Sequence, residues 1–236
     1  MTPFLTRVKN KARAEIARFK ARPVDFGDFT SADPLCGEFG FDRGTPIDRY
    51  YVREFLAPYQ QLVHGTCLEV AEDRYSTWLG GDRISKLEIL HLTGEDGDAT
   101  IIGDLTDLTE VPDATFDTII ATQTLPFIYD LQSAVRELYR LLKPGGTCLA
   151  TVSGISQISA YDMARWGEFW RFTNLSARRL FSEMFGSDRV EVQSFGNAAT
   201  ATAFLQGVAA EELDPELLDA NHPLYQVLIG VKATKQ

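Results

Sequence analysis

Residues 116–152 read FDTIIATQTLPFIYDLQSAVRELYRLLKPGGTCLATV. The opening Phe116–Ala121 is a short, mostly apolar run with β-branched residues, which predicts a buried strand. From Asp130 the period changes. Leu131, Val135, Leu138 and Leu142 recur at three- and four-residue steps, so 130–143 predicts an amphipathic helix with Asp130 as its cap. Pro144-Gly145-Gly146 stops that helix, and Thr147–Val152 is apolar again, a further strand. Strands alternating with helices imply a parallel sheet covered on both faces.

The alternation extends in both directions. Thr66–Val70, Arg83–Leu87 and Thr100–Gly103 read as earlier strands, and Arg189–Ser194 and Gln226–Ala233 as later ones. Between the last two, the small apolar stretch Ala198–Ala210 predicts a buried helix. A helix is expected from about Asp48, with Tyr51, Phe55, Leu62 and Val63 on one side and Pro58 kinking or splitting it. Residues 23–48 are rich in Gly, Pro and Asp, yet hold Phe26, Phe29, Phe39 and Phe41, so an ordered loop is expected. Residues 23–236 thus read as one α/β domain with a doubly wound sheet.

Residues 1–22 differ. They carry seven basic residues against Glu15, so in a chain of net charge −10 the remainder holds −16. Phe4, Val8, Ala12, Ile16 and Phe19 make an apolar stripe, and 4–20 reads as a basic amphipathic helix. It suits peripheral docking on an anionic membrane or an acidic partner, or simply packing on its own acidic domain. The acidic body disfavours a nucleic-acid substrate. At 236 residues, 44% hydrophobic and 24% charged, the composition is that of a globular protein. No apolar run reaches the ~20 residues of a membrane helix, and no signal-like block opens the chain. Cys36, Cys67 and Cys148 make neither a disulfide framework nor, with histidines, a metal site. A reducing cytoplasm is the expected location.

A doubly wound sheet binds ligands at the carboxyl ends of its strands. There stand Glu69, Ala71 and Asp73 after the first strand, and Glu88 after the second, 19 residues beyond Glu69. Asp104 and Leu105 follow the third, and Thr122, Gln123 and Thr124 the fourth. A carboxylate about 20 residues past the first turn suits a ribose diol, because it accepts two hydroxyl hydrogen bonds. An acid beside an apolar residue suits an adenine.

At these residues, and above all at Arg140-Leu141-Leu142-Lys143-Pro144-Gly145-Gly146, the sequence resembles the class I S-adenosylmethionine-dependent methyltransferases of small molecules. The resemblance spans about 66–153. It implies a seven-stranded, mostly parallel, Rossmann-like sheet whose last hairpin includes an antiparallel strand. It also implies S-adenosyl-L-methionine as cofactor, with Glu69 near the methionine part, Glu88 at the ribose, and Asp104 with Leu105 at the adenine. The flanks GFDRGTPIDRYYVREFL and SGISQISAYDMARWGEFWRFTNLSARRLF resemble a subgroup linked with sugar and polysaccharide biosynthesis. One departure stands out. Ala71, Asp73 and Tyr75 occupy the places of the family's three glycines, so the loop is expected to be remodelled.

No Asn/Asp-Pro-Pro-aromatic loop follows the fourth strand, and no cysteine stands there; both absences favour transfer to oxygen or to a small-molecule acceptor. The general-base candidates are His91, just past the second strand, Tyr129 and Asp162, with Asp48 and Tyr50 as further polar groups. Arg43, Asp48 and Arg49 are expected to cover the cofactor from the Gly/Pro loop, with Arg43, Asp48 and Tyr50 toward the substrate. Trp166 and Trp170, four apart, are expected to share a helix face with Arg171 beside them, as a sugar platform or a lid. Methyl transfer to a sugar or glycoside hydroxyl is the leading reading. The alternatives are a lyase, cyclase or isomerase on the same fold, or a non-catalytic partner in a biosynthetic complex.

Overall fold

The computed structural model describes residues 27–94 and 98–236. The basic segment 1–22, with its predicted helix, lies outside them. The chain divides into two compact units at 33/34. Of the first unit only 27–33, a run of turns and bends, is described. All that follows concerns residues 34–236.

The elements are α1 (Ile47–Leu56), β1 (Gly65–Val70), α2 (Arg74–Gly80), β2 (Ile84–His91), β3 (Ile101–Ile102), β4 (Phe116–Thr122), α3 (Leu131–Leu141), β5 (Leu142–Ser153), α4 (Ala160–Arg165), α5 (Asn174–Phe185), β6 (Val190–Phe195), α6 (Ala198–Leu205), α7 (Pro215–Asp219) and β7 (Leu228–Thr234). The strands form one sheet in the order β3-β2-β1-β4-β5-β7-β6. The first five run parallel, and β7 lies antiparallel between β5 and β6. Strand order reverses between β1 and β4, which opens a crevice at their carboxyl ends.

Three expectations need correction. β2 runs to His91, four residues past its expected end, so Glu88 sits inside the strand, paired in register with Leu68. α6 stops at Leu205, not Ala210, because Gly207 takes a left-handed φ of +68°. The helix expected over 130–143 ends at Leu141, and Leu142 already opens β5. Pro58 splits the first helix as expected, through its fixed φ and missing N–H: residues 57–62 continue as a 3₁₀ turn.

The Lys-Pro-Gly-Gly run lies within β5 and does not itself end the helix. Phe116 pairs with Leu142, but Thr118 pairs with Thr147, so residues 143–146 bulge out of β5. Gly146 lies against the carbonyls of Phe116 and Asp117, where a Cβ would stand 3.1 Å from either oxygen. Lys143 Nζ reaches Asp117 Oδ2 at 2.7 Å, and Thr66 N–H donates to the same oxygen at 2.8 Å. The bulge thereby ties β5, β4 and β1 together below the crevice.

Alternation along β7 sends Val231 into the cluster built with α3 and α5, whose buried residues include Leu138, Leu141, Phe181 and Phe185. Gly230 faces the other way, and its missing side chain makes room for the Phe55 ring of α1. On that face Tyr51 stacks on Phe195 at 5.7 Å. No helix among the described residues is long and apolar enough to cross a membrane.

Candidate active site

The crevice at the strand ends encloses about 510 Å³, within the range of small-molecule sites. Its floor is Ala71 after β1, His91 at the end of β2, Asp104 and Leu105 after β3, and Thr122 and Gln123 at the end of β4 and just past it. Leu105 is buried. Asp104 Oδ1 accepts from Thr106 N–H and Oγ–H, both at 2.8 Å, while Oδ2 carries no protein partner among the described residues.

The covering wall comes from two loops. Phe127–Asp130 forms one side, and Asp130 also caps α3, accepting from Ser133 N–H at 3.1 Å. The segment 166–170 lies over it: Phe169 and Trp170 N–H both donate to Pro126 O, and Trp170 Nε1–H donates to Ile128 O at 3.1 Å. Trp166 meets the His91 ring edge-on at 5.8 Å. Tyr129 packs between Phe169 and Trp170.

The remodelled loop keeps the turn its family resemblance requires. Ala71 takes a left-handed φ of +76°, and its N–H donates to Leu90 O at 2.9 Å. Glu69 is fully buried, accepting from Tyr75 and Ser76 N–H at 3.1 and 2.6 Å. Burial pushes its pKa up to about 7, against the opposing pull of those donors. Glu69 therefore shapes the loop rather than lining the crevice. Tyr75 is also buried and turns its ring away from the crevice.

A second chamber of about 220 Å³ adjoins the crevice and shares Gln123, Phe127 and Asp162 with it. Its lining is polar: Glu38, Asp48, Ser153, Ser156, Ser159 and Glu168, beside Phe39, Phe41 and Tyr161. Glu168 is held rigidly, accepting from Ser159 N–H at 2.8 Å and pairing with Arg171 at 2.6 Å. Burial raises the Asp48 pKa against the pull of Arg49. Gln123 stands at the neck with φ +52°, and its buried Nε2 has no partner among the described residues.

Of the residues singled out from sequence, Ala71, His91, Asp104, Leu105, Thr122, Gln123, Tyr129, Asp162 and Trp166 meet around the crevice. Others do not. Glu88 pairs with Lys86 at 2.5 Å, three residues short of the strand end, so His91 occupies the place foreseen for it. Asp73 is exposed and lines no cavity described here. Arg43 pairs with Glu212, and Arg171 with Glu168 and Gln157 O; both brace loops. Tyr50 donates to Asp219 at 3.2 Å; burial and that carboxylate push its pKa to about 12, so it keeps its proton. Trp166 and Trp170 share no helix face, because α4 ends at Arg165. His91 lies on the β2 side, away from the second chamber, whereas Asp162 borders both. Ser159 and Glu168 were missed as chamber residues. Ser153 and Ser156 were not singled out either, and the recurrence of serines from the end of β5 onward was the available signal. Cys67 and Cys148 are buried, with pKa values raised to about 11 and 12 by burial, so neither is a ready thiolate. No cluster of three metal-binding side chains occurs among the described residues.

The methyltransferase domain family matches residues 68–150. Among solved structures, a SAM-dependent methyltransferase from Archaeoglobus fulgidus superposes with a TM-score of 0.52 at 11% identity, over 79% of this chain and 94% of that one. A methyltransferase from Mesorhizobium loti gives 0.50 at 16%, over 80% and 98%. One from Thermotoga maritima, described as a possible histamine N-methyltransferase, gives 0.50 at 16%, over 79% and 93%. No curated protein matches the sequence significantly. Residues 68–150 thus match a methyltransferase domain, and the fold is the one seen in S-adenosylmethionine-dependent methyltransferases.

The crevice fits that cofactor. Ala71 supplies the left-handed turn with only a methyl group, and neither Tyr75 nor Asp73 intrudes. Asp104 Oδ2 and the Leu105 side chain offer a carboxylate and an apolar face for an adenine.

Proposed function

We propose that this protein transfers a methyl group from S-adenosylmethionine to a hydroxyl of a sugar or glycoside. One observation carries the reading. The crevice opens at Gln123, Phe127 and Asp162 into a chamber of serine hydroxyls, carboxylates and aromatic rings, which is the lining a sugar ring favours.

When bound, the cofactor supplies an electrophilic methyl group. Ala71, Asp104, Leu105, Thr122 and Asp130 would hold it, with Trp166 and Phe169 keeping water out. Catalysis by the protein is then mainly alignment. Gln123 Nε2–H donates to the acceptor oxygen and fixes its direction. Asp162 accepts the hydroxyl proton as the oxygen attacks.

The test is an acceptor screen by mass spectrometry over free sugars, glycosides and sugar phosphates. A product heavier by one methyl group supports the reading. Asp162→Asn should then lower turnover about 100-fold, with cofactor affinity unchanged. Transfer only to amines, or an Asp162→Asn enzyme of full activity, would contradict it.

A further inference from the structure

We propose that a third cavity binds a phosphate or diphosphate group, and that the acceptor is therefore a phosphorylated sugar. The substrate class rests on the methyl-transfer reading; the anion site does not. The cavity measures about 480 Å³, and three arginines, Arg49, Arg53 and Arg74, converge on it with Phe41, Tyr75 and Trp78.

The local structure explains the convergence. Arg49 and Arg53 are four apart on α1, and Arg74 and Trp78 four apart on α2, so each pair shares one helix face. The Arg53 guanidinium lies 4.7 Å over the Trp78 ring, which orients it without using its N–H donors. Tyr75 is buried as the cavity's back wall. It stands where the methyltransferases that this chain resembles have a glycine. The departure from the glycine pattern thus leaves the cofactor crevice open and builds a wall of this second site.

Charge argues the same way. Arg49 and Arg74 each have an acid beside them, and Arg53 has none. Glu72 is 3.7 Å from Arg74, and both are exposed. Glu211 accepts from Thr45 N–H and Oγ–H at 2.8 and 2.5 Å, and Asp48 attracts Arg49. Arg53 has no carboxylate within ion-pair distance among the described residues. Three converging guanidinium groups repel one another, and a multiply charged oxyanion relieves that repulsion. Guanidinium forks match phosphate oxygens bidentately.

Position supplies the substrate class. The cavity shares Phe41 and Arg49 with the hydroxyl-lined chamber, which shares Gln123, Phe127 and Asp162 with the cofactor crevice. The three lie in a row. A sugar in the middle chamber presents a hydroxyl at Asp162 and its phosphate at the arginines.

Calorimetry with inorganic pyrophosphate and, separately, with S-adenosylhomocysteine tests this on the full chain and on Arg53→Gln/Arg74→Gln. Both arginines are exposed, so the variant should fold, which a circular dichroism melt checks. Pyrophosphate should bind the unaltered chain with submillimolar affinity, falling at least tenfold in the variant and with added salt. S-adenosylhomocysteine should bind both equally. With a phosphorylated acceptor, the variant should raise KM at least tenfold and leave kcat within twofold. No pyrophosphate binding, or equal binding by the variant, overturns the anion site. Pyrophosphate binding without S-adenosylhomocysteine binding keeps the site and refutes the methyl-transfer reading.

Discussion

Ala71 and Glu69 carry the most consequence per atom. A left-handed φ costs an L-residue with a Cβ about 1–2 kcal/mol, and glycine escapes it. Ala71→Gly should therefore stabilise the protein by about 1 kcal/mol in urea unfolding, less the entropy glycine adds to the unfolded chain, with no loss of S-adenosylhomocysteine affinity. Glu69 binds its proton more tightly folded, at about pH 7, than unfolded. Between its ordinary value and 7 the folded state holds the extra proton, so stability falls as pH rises through that window. The loss is full above it, about 3 kcal/mol in all. The depressed carboxylates Asp117 and Glu137 act in the opposite sense and at lower pH. Glu69→Gln should flatten the decline between pH 5 and 7.5. An unchanged slope in the variant would place the titration elsewhere.

At the scale of elements, Arg140 is the tie between α3 and the loop that follows β3. Its guanidinium donates to the carbonyls of Leu108 and Val111 and pairs with Glu137 and Asp113, at 2.6–2.8 Å. Glu137 in turn accepts from Leu108 N–H at 3.1 Å and is held ionised by Arg140. Arg140→Ala strands two carbonyls and the buried Glu137 carboxylate, and should cost about 3 kcal/mol in denaturant unfolding. Lys143→Ala should cost about 1 kcal/mol, since its pair with Asp117 is more exposed. Equal effects of the two would mean the loop anchor has been overvalued. These residues also mark how much was legible. The elements of 116–152 read in the right order because strand and helix periods alternate there, although the helix ends two residues early and β5 starts at Leu142. The end of β2 does not read correctly, because Lys86 and Glu88 interrupt its apolar pattern and disguise its last four residues. That slip moved the ribose candidate from the strand end to Glu88.

At the scale of the whole molecule, the fold follows from alternation, but the chambers do not. Residues from α1, β5, α4 and the loop at 38–41 meet only after folding, and nothing in their spacing announces it. Arg43 and Arg171 were visible as cations and not as loop braces. Tyr75 was visible as a misfit and not as a wall, because its neighbours Arg49 and Arg53 lie over 20 residues away. We also propose that residues 1–22 dock the enzyme to an acidic partner or an anionic membrane. A chain lacking them should lose salt-sensitive sedimentation with anionic vesicles, or with its partner, and bind S-adenosylhomocysteine unchanged. Loss of ligand binding instead would make the segment part of the catalytic body.

The central claim is that the crevice between β1 and β4 holds S-adenosylmethionine despite the altered glycine loop. Calorimetric titration with S-adenosylmethionine and S-adenosylhomocysteine tests it directly on the unaltered chain, Asp104→Asn and Glu88→Ala. Asp104→Asn keeps an oxygen for Thr106 and removes the carboxylate offered to the ligand. The predicted result is micromolar binding of both compounds, weakened at least tenfold in Asp104→Asn and unchanged in Glu88→Ala. No binding by a folded sample, or equal binding by all three proteins, would contradict the account.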